Sequence, residues 1–208
     1  MLLIWGLRVR MRVLMRDVFF CPSCGGDRWY ARKQGRRWFT FFFLPIIPLG
    51  HVGEELVECE TCHHAYTTGV LQTPTTAVLG DTLVTATREA VVWLLRISAP
   101  GPAAVRAALD VLSATGNVAW DERVLRADVA GLEVGGLGQR LATLSTVLND
   151  HGRERFLAGC TRVALADGPP SPDERSVLDH IAASLGMSPA HARGVTSQVA
   201  DQVGLAGA

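Results

Sequence analysis

Cys21-Pro22-Ser23-Cys24 and Cys59-Glu60-Thr61-Cys62 are the stretches that decide how the first third of this chain folds. A Cys-x-x-Cys turn places two thiolates on one side of a tight loop, within reach of a single ion, and two such turns supply four soft ligands for a closed tetrahedral site. A closed site has no open coordination position, so it builds structure and does no chemistry. The spacing therefore predicts a small β-rich ribbon around Zn²⁺ over residues 1–72, with Cys21, Cys24, Cys59 and Cys62 as ligands. The gap between the pairs is 34 residues, longer than the usual ~15–20, so the ribbon must carry a long insertion. A disulfide framework and two unrelated cysteine turns are the competing readings.

Working outward, the charge is uneven although the total is zero. Residues 1–50 hold nine Lys/Arg and two Asp, residues 51–70 hold four Glu and no base, and residues 71–208 hold eleven Arg against fourteen acids. A basic end suggests an anionic partner, nucleic acid or membrane surface, and is equally what a solvated face would show. Met1-Leu-Leu-Ile-Trp5 makes a poor signal peptide, with no positive charge before it. The longest apolar run, Trp38 to Leu49, is broken by Thr40, Pro45 and Pro48 and falls short of the ~20 residues that a helical span needs. The chain is thus expected in the cytoplasm, peripheral to a membrane at most, where thiols stay reduced and metal is favoured over disulfides. Cys59-Glu-Thr-Cys62-His63 also matches a c-type haem attachment pattern, which would leave Cys21 and Cys24 unexplained.

From Leu7 to Val13, apolar residues alternate with Arg8, Arg10 and Arg12, predicting a half-buried strand with a cationic face. Trp29 to Phe39 reads as two aromatic-rich strands about a Gln34-Gly35 turn. The prolines of the following run exclude a central strand. After Leu71-Gln-Thr-Pro74 the period becomes helical. Leu83 to Leu95, Val105 to Leu112, Leu137 to Leu148 and Phe156 to Ala164 each mark a helix. Ser171-Pro-Asp-Glu174 is a capping box, Gly186 ends that helix, and Ser188-Pro189 opens the last one. Cys160 falls on the apolar face of its helix, as a buried structural thiol would. The fold class is α+β: a Cys₄ ribbon over 1–72, then an all-helical domain over 73–208.

The helical part repeats itself at an offset of 52 residues, Ala114-Thr-Gly116 through Asp121-Glu122-Arg123 aligning on Ala166-Asp-Gly168 through Asp173-Glu174-Arg175. Each copy is a helix–loop–helix hairpin with acids on the first turn of its second helix. Acids there complement the helix dipole, and two such loops could also gather hard oxygen ligands for Mg²⁺, Ca²⁺ or Mn²⁺.

At this point the residues resemble two families. Ala166-Asp167-Gly168 to Glu174, with Ile181 to Ser188 following, resembles the TerB-like (tellurite-resistance) helical domain, departing at Pro170. The first copy keeps Gly116, Val118 and Glu122 but has Thr115 in place of the Asp. The resemblance implies a divalent-cation site at Glu122, Asp167 and Glu174, weakened by Thr115. The cysteines, with the Arg37-Trp-Phe-Thr40 and Pro45-Ile-Ile-Pro-Leu49 run, resemble a small bacterial zinc-ribbon family. Neither resemblance implies an enzymatic activity. No phosphate-binding glycine loop is visible, and the six histidines are scattered. The expectation is a non-enzymatic metal-binding and interaction protein of a stress response, with a protein partner. The alternative is sequence-tolerant nucleic-acid binding by the basic, aromatic ribbon. Arg8, Arg10, Arg12, Arg36, Arg37 and Trp38 are the candidates for contact with nucleic acid or with an anionic membrane surface.

Overall fold

The computed structural model describes residues 5–41, 44–116 and 120–204, without the side chains of Trp5 and Phe41. The expected roles of Met1 to Ile4, of Phe42 and Phe43, and of Val118 lie outside these residues. The chain divides into two compact units, Met1–Leu79 and Gly80–Ala208. The sequence boundary at 72/73 falls at the end of a short 3₁₀ helix, Thr68–Gln72, whereas the units divide inside the first α-helix.

The first unit is an antiparallel sheet of four strands in sequential order: β1 (Trp5–Cys21), β2 (Gly26–Phe41), β3 (Leu44–Cys59) and β4 (Ala65–Thr67). The first three are long, and β2 and β3, which lie between the two cysteine pairs, account for the insertion that the cysteine spacing demanded. β1 follows from its alternation of apolar and basic residues, which holds the chain extended. The Gln34-Gly35 turn does not form. β2 runs straight through it, and the strand reversal comes instead after Phe41, which pairs with Leu44. Gly35 has a packing role: a Cβ there would stand 2.6 Å from the Val52 carbonyl oxygen and 3.2 Å from Val9 Cγ1. Only glycine lets the three strands approach so closely at this register irregularity. Pro45 and Pro48 lie in β3 where it is a sheet edge, since β4 pairs only with Leu56–Glu58, and an edge strand tolerates a residue without an N–H.

The core of this unit is small and sits at the cysteine end. Phe19, Cys21, Tyr30, Val57 and Cys59 are buried together, with Tyr66 and Leu71 packed against them. Phe19 meets Tyr30 edge-on at 5.3 Å and Tyr66 at 6.0 Å. The half-buried strand expected from Leu7 to Val13 is corrected here. Leu7, Val9 and Met11 are 51–60% exposed, because the far half of the sheet extends beyond this core.

The second unit is helical: α1 (Thr76–Ile97, its first turn still in the first unit), α2 (Pro102–Ser113), α3 (Glu122–Gly131), α4 (Leu137–Val147), α5 (Asp150–Leu165), α6 (Pro172–Ser184) and α7 (Pro189–Val203). Leu94, Leu112, Leu141, Leu157 and Ile181 are fully buried in one core, and each stands at the helical spacing of its own segment. α5 is central and packs on α2, α6 and α7. Gly159 lets Val111 of α2 come within 3.3 Å of where a Cβ would stand. Two partly buried ion pairs tie α1 to its neighbours: Arg88 grips Asp128 of α3 with bonds of 2.6 and 2.5 Å, and Glu89 meets Arg140 of α4 at 3.1 Å. Cys160 is buried, and burial pushes its thiol up to about 12, which leaves it inert.

Candidate metal centre

Each cysteine pair sits where a long strand ends. Cys21 closes β1 and Cys59 closes β3, so the sheet carries one knuckle at the end of each of these two strands, near one another. The knuckles share a backbone plan. Gly25 N donates to Cys21 O at 2.9 Å, and His63 N donates to Cys59 O at 3.0 Å. Gly25 and His63, each four residues after the first cysteine of its pair, both adopt left-handed backbone, at φ 66° and 56°. Each left-handed residue closes its turn and redirects the chain just after the second cysteine of its pair. His63 thus serves through its backbone. Its side chain is exposed, and the sulfurs of Cys59 and Cys62 face those of Cys21 and Cys24, which removes the haem-attachment reading.

The four sulfurs lie within 4.8 Å of one another. Cys21 Sγ is 3.8 Å from Cys62 Sγ, and Cys24 Sγ is 4.0 Å from Cys59 Sγ. A tetrahedral ion with metal–sulfur bonds of ~2.3 Å requires sulfurs about 3.8 Å apart. These two distances are close to that spacing, and the five cysteines of the chain are all free thiols. Sulfurs at this spacing cannot all ionise unaided. Burial opposes ionising Cys21, but hydrogen bonds from Tyr66, the Cys24 backbone and the neighbouring thiols outweigh it and bring Cys21 down to about 6. Burial and bonds to the other thiols push Cys24 up to about 12. A bound cation removes this conflict by accepting all four as thiolates. Tyr66, which the sequence reading passed over, hydrogen-bonds Ser23 Oγ at 2.7 Å and stands 3.5 Å from Cys21 Sγ, orienting that ligand from outside the site. Its position four residues after Cys62, in the chain leaving the second knuckle, is the signal that could have found it.

The acids of the helical hairpins are placed differently. Asp167 accepts from Gly101 N at 2.6 Å and Ala104 N at 3.3 Å, capping α2 from a distance in sequence. Glu174 is buried in the capping box, its carboxylate accepting from Ser171 N at 2.8 Å. Glu122 pairs with Arg126 one turn on. Thr115 donates its hydroxyl to Leu112 O. Among the described residues the four cysteines are the one group of three or more His, Cys, Asp or Glu side chains close enough to share an ion, so the fold does not gather Glu122, Asp167 and Glu174.

Residues 105–196 match the family model described as tellurite resistance protein TerB. The helical unit is TerB-like. No curated protein and no solved structure matches the chain. The matched stretch runs from within α2 to within α7, so it contains both hairpins of the repeat. Within the TerB-like domain the two copies are out of step by two residues. Ser171 caps α6 with Pro172 at its first position, whereas α3 is capped by Asp121, which accepts from Val124 N at 2.7 Å. At the repeat offset Asp121 matches Asp173, already inside α6. Glu122 consequently opens its helix while Glu174 stands in the third position of its own, and the aligned carboxylates do not occupy matching sites.

The candidate contact residues of the ribbon separate by face. Directly opposed residues of antiparallel strands share a face, so Arg8 with Trp38, and Arg10 with Arg36, lie on one side. Val9 with Arg37 lies on the other. Arg36 sits over the Trp38 ring at 5.6 Å. Among the described residues no helix is long and apolar enough to cross a membrane.

Proposed function

We propose that this chain is a non-enzymatic metal-binding and interaction protein of the tellurite-resistance, TerB-like type, acting in a stress response within a reducing compartment. One Zn²⁺ held by Cys21, Cys24, Cys59 and Cys62 serves as its structural staple. The observation that carries the metal reading is the set of four sulfurs within 4.8 Å of one another; an ion held by all four would have no open position for a substrate. Zinc suits such a site, and iron in the same ligands would colour the protein. The TerB-like match supports the stress-response reading, and the capping roles of Asp167 and Glu174 favour a helical domain that works as a docking platform over one that holds a second cation.

Metal analysis of the purified chain tests the staple. One zinc per chain and no visible absorbance are expected, and Cys59→Ser should lose both the zinc and the native signals of the sheet. Full zinc retention by Cys59→Ser, or a wild-type sheet that stays folded without metal, would sink the assignment. Tellurite tolerance of cells expressing the chain, against vector alone, tests the physiological part.

A further inference from the structure

The far half of the three-stranded sheet is not explained by the metal centre. We propose that this end of the sheet docks peripherally on an anionic lipid surface, its apolar tip entering the interfacial layer and a collar of arginines behind it meeting the phosphates.

The argument begins with order along the strands. At the tip, Leu44, Ile46, Ile47 and Leu49 of β3 are 51–67% exposed. The register sets Ile47 beside Phe39 on one face, and Pro45 and Pro48 beside Thr40 and Trp38 on the other. Both faces of the tip are thus largely apolar. Next along the sheet come Arg8 opposite Trp38, Arg37 opposite Val9, and Arg10 opposite Arg36. At ~3.3 Å per residue they stand roughly 10–16 Å behind the Phe41–Leu44 pair, where β2 ends and β3 begins. Only then come Glu55, Glu58 and Glu60, which pair with Arg32, Lys33 and Arg16 respectively. Charge is therefore sorted. Arg16, Arg32 and Lys33, nearer the cysteines, are each paired with an acid, whereas among the described residues Arg10, Arg12, Arg36 and Arg37 make no ion pair.

This profile complements an anionic bilayer more closely than any flat partner. A partner protein on one face would leave the other face of the tip in water, while immersion covers both. Trp38 lies level with the arginines, at the depth where indole rings favour the headgroup region. The depth is limited. β1 and β3 are both open edges at the tip, and their unpaired backbone groups cannot enter hydrocarbon, so docking stops at the interface. A second copy is the weaker occupant. Antiparallel pairing of two β1 edges would set Arg8, Arg10 and Arg12 against the same arginines, a like-charge arrangement that destabilises sheets.

The test is sedimentation of the full-length, metal-loaded chain with extruded vesicles of phosphatidylcholine, with and without phosphatidylglycerol. Binding is expected only with phosphatidylglycerol and should fall as salt is raised. Arg10→Gln with Arg37→Gln should weaken it about 25-fold, at roughly five-fold for each arginine near the surface. Leu44→Ser with Ile47→Ser should abolish it. All four side chains are exposed or unpaired, so metal content and circular dichroism should stay native in both variants. Absence of sedimentation with phosphatidylglycerol overturns the proposal. So does retention on immobilised DNA that equals vesicle binding and ignores the tip variant, which would assign the arginines to nucleic acid. A dimer in solution that the tip variant dissociates would assign the tip to a second copy. The result is independent of which metal fills the cysteines, so it can fail while the structural-metal reading stands.

Discussion

His63 carries more structural meaning than its side chain suggests. It holds left-handed backbone at φ 56°, the place that Gly25 takes in the first knuckle. Left-handed backbone costs a side-chain-bearing residue about 1–2 kcal/mol, and most for a β-branched one. His63→Val should therefore destabilise the metal-bound sheet by about 1–2 kcal/mol relative to His63→Gly, read as a difference in denaturant midpoint. Equal midpoints would mean that this backbone is not required. A second residue with a measurable signature is Glu89 in the TerB-like domain. Burial raises its carboxyl above the ordinary value of 4.5, against the lowering pull of Arg140 and Arg88. A raised pKa means that the folded state holds this proton more tightly than the unfolded chain. Its contribution to stability is then fullest below 4.5 and declines as pH rises through the folded value. Glu89→Gln removes that dependence. The stability of wild type minus variant should fall as pH is raised from acid toward neutral, and a flat or rising difference would contradict the burial argument.

At the scale of elements, capping explains the acidic hairpins. Asp167 ends the α5 hairpin yet bonds the first amides of α2, so it fastens two helices that are distant in sequence. A Cβ on Gly101 would stand 2.7 Å from its Oδ1, so the glycine makes room for that carboxylate. Asp167→Asn keeps one acceptor and loses the charge beside the helix N-terminus, while Asp167→Ala loses the cap entirely. The alanine variant should lower stability of the full chain by about 0.5–2 kcal/mol, the asparagine variant by less, as is typical of N-caps. Calorimetric titration with Ca²⁺ or Mn²⁺ should give the same heats for wild type, Asp167→Asn and Thr115→Asp. Binding heats that appear with Thr115→Asp would revive a cation site in the two loops. The strands follow a parallel logic. β2 runs on through Gly35 because a glycine at a crowded register point relieves a clash, which resembles a turn signal when only neighbours in sequence are considered.

For the molecule as a whole, the ribbon unit has a core of few buried side chains, whereas the TerB-like domain buries a continuous helical core. A small core needs a staple, so metal should matter to one unit and not the other. On adding a chelator, the calorimetric transition of the sheet should be lost while helical circular dichroism persists. Loss of both together would show that the units stand or fall as one. Much of this was written locally. The Cys-x-x-Cys pairs announced the four-sulfur cluster because two cysteines per turn are set by neighbours in the chain. Ser171, Gly186 and Ser188 announced helix ends because capping is a matter of three or four adjacent residues. The alternation of β1 announced a strand, though not that its apolar side would stand in water, since exposure depends on what lies opposite. Likewise the sequence repeat aligned Glu122 with Glu174, but the start of each helix was decided by its own cap, two residues out of step. Contacts within a turn of chain were determined by the sequence itself. Which face is covered, where a strand reverses and whether distant carboxylates meet were decided only by tertiary structure, because each depends on groups brought close from far along the chain.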